Sequence, residues 1–234
     1  MSDEPVLLIT GASSGIGAQT ARRAVEAGWR VALGARREDA LRKLVDELGG
    51  GDRALAARCD VAEWDDVEAL AGGALAGFGR LDAVFANAGF GAKRGYLSES
   101  PEQWRAMVLT NVLGVALTIR ATLPHLLERG SGHYLITGSV AGRRTIPGSL
   151  YSATKWAATA IGASLRAELR QLRENDSIRV TVIEPGAVDT PFFDEHPSGA
   201  LEADDIARAV MFALTQPRHV DVNEILIRPT GQSN

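Results

Sequence analysis

The chain has 234 residues, 45% of them hydrophobic and 23% charged, which is enough for a sizeable core and too apolar for a disordered chain. A formal net charge of -4 gives no electrostatic reason to expect nucleic acid or an anionic membrane as a partner. One cysteine, Cys59, excludes an intrachain disulfide and a cysteine-based metal site, and the four histidines lack metal-ligand spacing, so no metal is expected.

The chain opens on Met1-Ser2-Asp3-Glu4-Pro5, acidic where a secretory signal would be basic, and the apolar run Val6 to Ile9 is too short for a signal core or a membrane span. A cytoplasmic protein is the expectation. That run instead suits a strand buried on both faces of a parallel sheet. It leads into Thr10-Gly11-Ala12-Ser13-Ser14-Gly15-Ile16-Gly17, and Ala18 to Ala27 then reads as a helix closed by Gly28. Small residues between a strand and a helix let the backbone approach a diphosphate, which the helix N-terminus attracts with free N–H groups and its positive dipole end. The spacing is Gly-x-x-x-Gly-x-Gly, not the commoner Gly-x-Gly-x-x-Gly.

Arg30 to Gly34 supplies a second strand ending in Ala35-Arg36-Arg37. An NAD site usually carries an acidic side chain near this point to hold the ribose 2′-hydroxyl. Here two guanidinium groups stand instead, suited to the 2′-phosphate of NADP, although Arg37 could equally solvate a loop. Leu41 to Leu48 is an amphipathic helix and Ala54 to Cys59 a third strand. Asp60 follows at once, placed either to reach a ligand at the sheet edge or to cap the helix from Ala62 to Leu75. Leu81 to Phe85 is a fourth strand, turning out through Ala86-Asn87-Ala88-Gly89.

Ser100-Pro101 starts a long helical pattern running to about Arg129, with Asn111 among apolar neighbours as either a satisfied core amide or a functional one. His133 to Thr137 is the fifth strand. Gly138-Ser139 and a loop to Leu150 follow it, and Ser152 to Glu174 is the second long helix. Tyr151 and Lys155 stand at i and i+4, neighbours on a helix face. A tyrosine, whose ordinary pKa is about 10, becomes useful for proton transfer at neutral pH when a positive charge favours its phenolate. Arg179 to Ile183 is the sixth strand, leading into Glu184-Pro185-Gly186-Ala187-Val188-Asp189-Thr190. A helix from Asp204 to Leu214 and a strand from Glu224 to Ile227 close the pattern. Strands alternate with helices throughout without an interdomain linker, which predicts one domain, 1–234, built as a three-layer doubly wound α/β parallel sheet.

In this order, the Thr10 to Gly17 turn, Cys59-Asp60-Val61, Asn87-Ala88-Gly89, Asn111, Ser139, Tyr151 to Lys155 and Pro185-Gly186 resemble the short-chain dehydrogenase/reductase family over nearly the whole chain. The resemblance implies that Gly11, Ser13, Ser14, Gly15, Ile16 and Gly17 cradle the dinucleotide, with Asp60 and Val61 beside the adenine and Asn87 steadying the turn through Ala88 and Gly89. It implies that Pro185, Gly186, Val188 and Thr190 hold the diphosphate and carboxamide end. Asn111, Ser139, Tyr151 and Lys155 would form a catalytic tetrad, Tyr151 and Lys155 also touching the cofactor, and Asn111 would hold a water linking Lys155 to solvent.

The activity so implied is NADP(H)-dependent hydride transfer between a nicotinamide and a carbonyl or secondary alcohol of a small molecule, with Tyr151 as general acid or base and Lys155, together with the positive oxidised nicotinamide, lowering its pKa. The alternative is a catalytically silent NADP(H)-sensing protein on the same fold. The resemblance also implies a homodimer or homotetramer through the two long helices. The C-terminal stretch Asn223 to Thr230 looks like that of NADP-dependent 3-hydroxy acid or aldehyde-type reductases. Three features depart from the family's pattern: Ala86 where relatives carry Asn, an interval from Ser139 to Tyr151 one residue shorter than usual, and a brief segment between Thr190 and Asp204, suggesting an open site or one completed by a neighbouring subunit. Ile146, Phe192 and Phe193 are the candidate apolar lining, although adjacent phenylalanines commonly serve plain packing.

Overall fold

A computed structural model describes residues 3–193 and 196–232. Seven parallel strands form one sheet in the order β3-β2-β1-β4-β5-β6-β9. These are β1 (Val6–Thr10), β2 (Arg30–Ala35), β3 (Ala54–Arg58), β4 (Ala83–Ala86), β5 (Gly132–Thr137), β6 (Ile178–Pro185) and β9 (Glu224–Ile227). A short pair, β7 (Val188–Asp189) with β8 (Leu201–Glu202), lies outside that sheet.

The alternation of side chains along a strand divides the core in two. Val6 and Leu8 of β1 point to one face, where α3 (Trp64–Phe78), α5 (Gly114–Arg129) and α6 (Leu150–Gln171) cover the sheet. Leu7 and Ile9 point to the other, covered by α1 (Gly15–Glu26), α2 (Glu38–Glu47) and α7 (Ala203–Leu214). Every residue of β1 and β2 is buried, as the unbroken apolar runs predict.

The order places β1 between β2 and β4, so the chain runs outward in opposite directions on either side of β1. In such a sheet the crevice outside the carboxyl ends of the strands, at that switch point, is where ligands bind. Here the crevice is shaped by close backbone contact. Gly11 has φ +66, and a Cβ there would stand 2.8 Å from the Ala88 Cα, so the turn leaving β1 needs glycine both for its conformation and for its approach to the turn leaving β4.

Element boundaries move in three informative places. α1 starts at Gly15, inside the glycine turn and not at Ala18, so the turn itself presents the helix N-terminus. α3 starts at Trp64, because Asp60 spends its carboxylate on the Ala62 N–H at 3.1 Å and closes a local turn before any helix begins. The long pattern from Ser100 is two helices, α4 (Pro101–Val108) and α5, joined by a π-helical turn over Leu109–Leu113. The Ser100 hydroxyl caps α4, accepting from Gln103 N at 3.2 Å. Residues 101–129 are by length and composition apolar enough to cross a membrane. Their inner face nevertheless packs against the sheet through Val115, Ile119 and Leu126 and buries Met107, Asn111, Thr118 and Thr122.

Candidate active site

A cleft of about 660 Å³ runs along the carboxyl edge of the sheet. Of the residues expected from sequence, Gly11, Ser13, Ser14, Gly15, Ile16, Arg36, Arg37, Asp60, Val61, Asn87, Ala88, Gly89, Ser139, Tyr151, Lys155, Pro185, Gly186, Val188 and Thr190 all line it. Gly17 and Asn111 lie just behind its wall, buried. This convergence follows from topology, since each group leaves the end of a parallel strand or opens the helix that follows.

At one end stand the N-terminus of α1 and the two arginines. Ser14 occupies the N-cap position with no side-chain cap bond, and no acidic residue sits in the first turn. The helix therefore offers uncapped N–H groups and a positive dipole end to the cleft. Arg37 donates to the Ser13 hydroxyl at 3.1 Å and to the Ser14 hydroxyl at 2.6 Å, which places a guanidinium directly over the glycine turn. Arg36 is exposed along the same wall. Asp60 is the one carboxylate among the described lining residues, so this end suits an anion carrying more than one phosphate.

Asn87 fastens the centre of the cleft. Its Nδ2 donates to Thr10 O at 3.1 Å, and its Oδ1 accepts from the Thr137 hydroxyl at 3.0 Å, tying the ends of β1, β4 and β5 together. Thr10 Oγ1 in turn accepts from Asn87 N and Ala88 N. Small residues here leave the crevice open to a flat group.

At the other end Ser139, Tyr151 and Lys155 converge. Ser139 opens a short 3₁₀ turn over Val140–Gly142, its Oγ accepting from Ala141 N at 3.1 Å. Tyr151 stands in the first turn of α6, partly covered, with its ring against Phe192 at 5.6 Å between centroids. Lys155 is buried, 4% exposed, and its Nζ donates to Thr137 O at 2.8 Å while lying 5.7 Å from the centre of the Tyr151 ring. The i, i+4 pair thus shares a helix face, but the ammonium is anchored to the end of β5 and not to the phenol.

Two pKa values follow from this packing. Burial lowers the Lys155 ammonium from 10.5 to about 8. Burial also pushes the Tyr151 phenol up to about 12, with the neighbouring Ser139 hydroxyl pulling the other way. In the chain by itself the phenol therefore lies above its ordinary value, and the expectation that Lys155 together with the positive oxidised nicotinamide lowers it concerns the bound state. Desolvation outweighs the hydrogen bond with Ser139. At neutral pH the phenol therefore keeps its proton.

Asn111 sits in the middle of the π-helical turn, 1% exposed. Both hydrogens of its amide are spent within the protein, on Phe90 O at 2.9 Å and Thr154 Oγ1 at 3.1 Å, while its Oδ1 accepts from Phe90 N at 3.0 Å. The Thr154 hydroxyl passes its own proton to Tyr151 O at 2.8 Å. Asn111 thereby links the loop after β4 to the turn of α6 that carries Tyr151 and Lys155. A Cβ placed on Gly89 would lie 3.1 Å from Asn111 Oδ1 and 3.6 Å from Lys155 Nζ, so both polar atoms border the same small space. Sequence periodicity did not show the π turn; π-turns recur at functional sites because they widen the backbone around one residue.

The short loop between Gly142 and Leu150 is tied at two points. Ile146 N donates to the Ser152 hydroxyl at 2.9 Å, and Gly148 O accepts from Gly95 N at 2.7 Å, joining it to the loop after β4. Arg143 leaves this loop to bond the buried Glu184 carboxylate at 2.7 and 2.8 Å, and it also pairs with Glu224. The expected apolar wall is present. Ile146, Phe192 and Phe193 line the cleft, and Phe192 lies so close to Gly91 that a Cβ there would be 2.7 Å from the ring. The brief segment after Thr190 is structured by the β7–β8 pairing, with Asp194 and Glu195 of that segment lying outside the described residues.

Lys155 supplies a direct test of this geometry. Because its folded pKa lies below its ordinary value, the folded chain binds fewer protons than the unfolded chain between about pH 8 and 10.5, so stability gains from this group as pH rises through that window. Thermal unfolding of wild type and Lys155→Met from pH 7 to 10 should therefore show the wild type gaining on the variant as pH rises. Parallel curves would mean that Lys155 titrates as an exposed lysine.

Comparison with known proteins agrees with this architecture. The family model described as short chain dehydrogenase matches residues 5–200. An uncharacterised oxidoreductase of Staphylococcus saprophyticus is 38% identical over 98% of this chain and 98% of its own. Among solved structures, an alcohol dehydrogenase of the archaeon Thermococcus sibiricus, complexed with 5-hydroxy-NADP, superposes with a TM-score of 0.87 at 35% identity, covering 99% of both chains. A short-chain dehydrogenase/reductase of Burkholderia phymatum in complex with NAD does so with a TM-score of 0.86 at 29% identity, covering 96% of this chain and 89% of the other. With the sheet order, the cleft and the matched residues in agreement, the chain belongs to the short-chain dehydrogenase family of oxidoreductases.

Proposed function

We propose that the protein is an NADP-dependent oxidoreductase acting on a carbonyl group or secondary alcohol of a small molecule, with Tyr151 as general acid and base. The observation that carries this reading is a single cleft with a protonated phenol beside a buried ammonium at one end and, at the other, Arg37 over a helix N-terminus with Arg36 on the same wall. The residues fit a nicotinamide dinucleotide. The glycine turn lets backbone approach, Arg36 and Arg37 line the cleft with guanidinium groups suited to a 2′-phosphate, and the flat central crevice under Asn87 holds no bulky side chain.

The bound dinucleotide supplies or accepts the hydride. The chain's residues handle the proton. Tyr151 gives its phenolic proton to the substrate oxygen as a carbonyl is reduced, and takes one back from an alcohol in the reverse direction. Ser139 donates a hydrogen bond to the same oxygen and fixes it beside the phenol. Lys155 stabilises the phenolate left behind, which a buried cation held by Thr137 O can do at close range. Asn111 holds the turn of α6 that carries both groups, and the free lone pair of its Oδ1 borders the space by Lys155 where a water would connect the ammonium to solvent. Ile146, Phe192 and Phe193 favour a substrate with an apolar substituent next to its reacting carbon.

We further propose a cytoplasmic enzyme that pairs with copies of itself. Val108, Leu113 and Trp156, on the two long helical segments, are large apolar side chains left exposed.

Two variants test the reading. Tyr151→Phe should lower NADPH-dependent carbonyl reduction by at least about a hundredfold, the lower range of general acid catalysis, while dinucleotide binding stays intact. Retained turnover would remove Tyr151 from the mechanism, and NADPH binding without turnover by the wild type on any carbonyl compound would favour a sensing role. Arg36→Ala should weaken NADPH by about tenfold or more, the size of a charge-assisted contact, and leave NADH nearly unchanged. Equal weakening of both cofactors would show that Arg36 does not read the 2′-phosphate.

A further inference from the structure

The end of the chain returns to the cleft. After β9 a turn closed by Gln232 N donating to Pro229 O at 3.0 Å brings Gln232 back over the residues that leave β6. There the Gln232 Oε1 accepts from Ala187 N at 3.0 Å. The preceding amide, Gly186 N, donates to Ile227 O at 2.7 Å, and Ala187 O accepts from Leu201 N at 2.9 Å. The turn from Pro185 to Val188 is therefore held by β9, by β8 and by one side chain from the tail. The contact is close. A Cβ added to Gly186 would stand 2.2 Å from Gln232 Oε1, 3.1 Å from Pro229 Cδ and 3.2 Å from Arg228 Cα.

Gln232 is half-buried and lines the cleft together with Pro185, Gly186, Ala187 and Val188. With Oε1 committed to Ala187, its Nε2 makes no hydrogen bond among the described residues and is left at the cleft wall. Without it Ala187 N would be a backbone donor beside the cleft with no partner among the described residues, and the turn would be held by β9 and β8 alone. We propose that Gln232 is a positioning residue for the dinucleotide: by fixing the Pro185–Val188 turn from the C-terminal tail, it sets the affinity of the site for the nicotinamide half of the cofactor. This rests on the reading of the cleft as a dinucleotide site. Its physical basis is preorganisation, since a turn already held in place loses less freedom when a ligand settles against it.

The test uses the full chain with Gln232→Ala and Gln232→Glu, the latter keeping a side-chain oxygen to accept from Ala187. Hydrogen exchange should show the Ala187 amide opening faster in Gln232→Ala and protected in Gln232→Glu, with amides elsewhere unaffected. Titration with NADPH should show Gln232→Ala binding about three- to tenfold more weakly, the range one neutral hydrogen bond carries. In turnover the loss should fall mainly on KM for NADPH and not on kcat. Unchanged affinity in Gln232→Ala would overturn the proposal while leaving the dinucleotide site standing. Faster exchange throughout the chain, with a matching fall in Tm, would also overturn it by assigning Gln232 a general stabilising role. Failure of the wild type itself to bind NADPH or NADH would overturn the proposal together with the reading on which it rests.

Discussion

A buried ammonium without a carboxylate sets the terms for this site. Lys155 is 4% exposed, the one hydrogen bond of its ammonium among the described residues runs to a backbone carbonyl, and burial alone drives its pKa down. Such a group costs stability unless something compensates the charge, and among the described residues no carboxylate pairs with it. The same burial raises the neighbouring phenol, so the free chain holds two groups away from their ordinary titration in opposite senses. Each is relieved by charge arriving from the other or from a ligand. A phenolate formed at Tyr151 would supply Lys155 with the anion it lacks, and the ammonium would stabilise the phenolate in turn. Divergent pKa values in neighbouring groups are what acid–base work at neutral pH requires.

Holding that cation in place engages the sheet edge, one helical layer and the loop after β4. Thr137, which anchors Lys155 through its carbonyl, also bonds Asn87 through its hydroxyl, and Asn87 fastens the ends of β1 and β4. Asn111 in the π-helical turn reaches Thr154, one residue before Lys155, and Phe90 in the loop after β4. The site is therefore a property of the sheet edge and not of a single loop, and its precision derives from rigid strands whose carboxyl ends all face one crevice.

Much of this was legible in the sequence. Unbroken apolar runs such as Val6 to Ile9, alternating with helical patterns, carry the parallel sheet, and residues placed just after those runs carry the cleft. What sequence could not show were contacts made by backbone atoms or by residues far apart along the chain. Thr137 serves Lys155 through a carbonyl that any residue would provide. Asn111 interrupts a continuous apolar stripe with a π turn that leaves the periodicity almost intact. Gln232 meets Ala187 across 45 residues, with no local motif to mark it. The short loop before Tyr151 acquires its sense from Gly95, a partner on a different loop. The raised pKa of the phenol in the free chain was also out of reach, because charge can be read from sequence whereas desolvation depends on packing.

The central claim is that the phenol of Tyr151 is held as an acid until a second positive charge joins Lys155. Ultraviolet titration of the phenolate, taken as the difference between wild type and Tyr151→Phe, measures this directly with and without NADP+. The account predicts that Tyr151 ionises well above pH 10 in the free protein and at distinctly lower pH in the complex with the oxidised, cationic nicotinamide. Ionisation at the same pH in both states, or near pH 7 in the free protein, would contradict it.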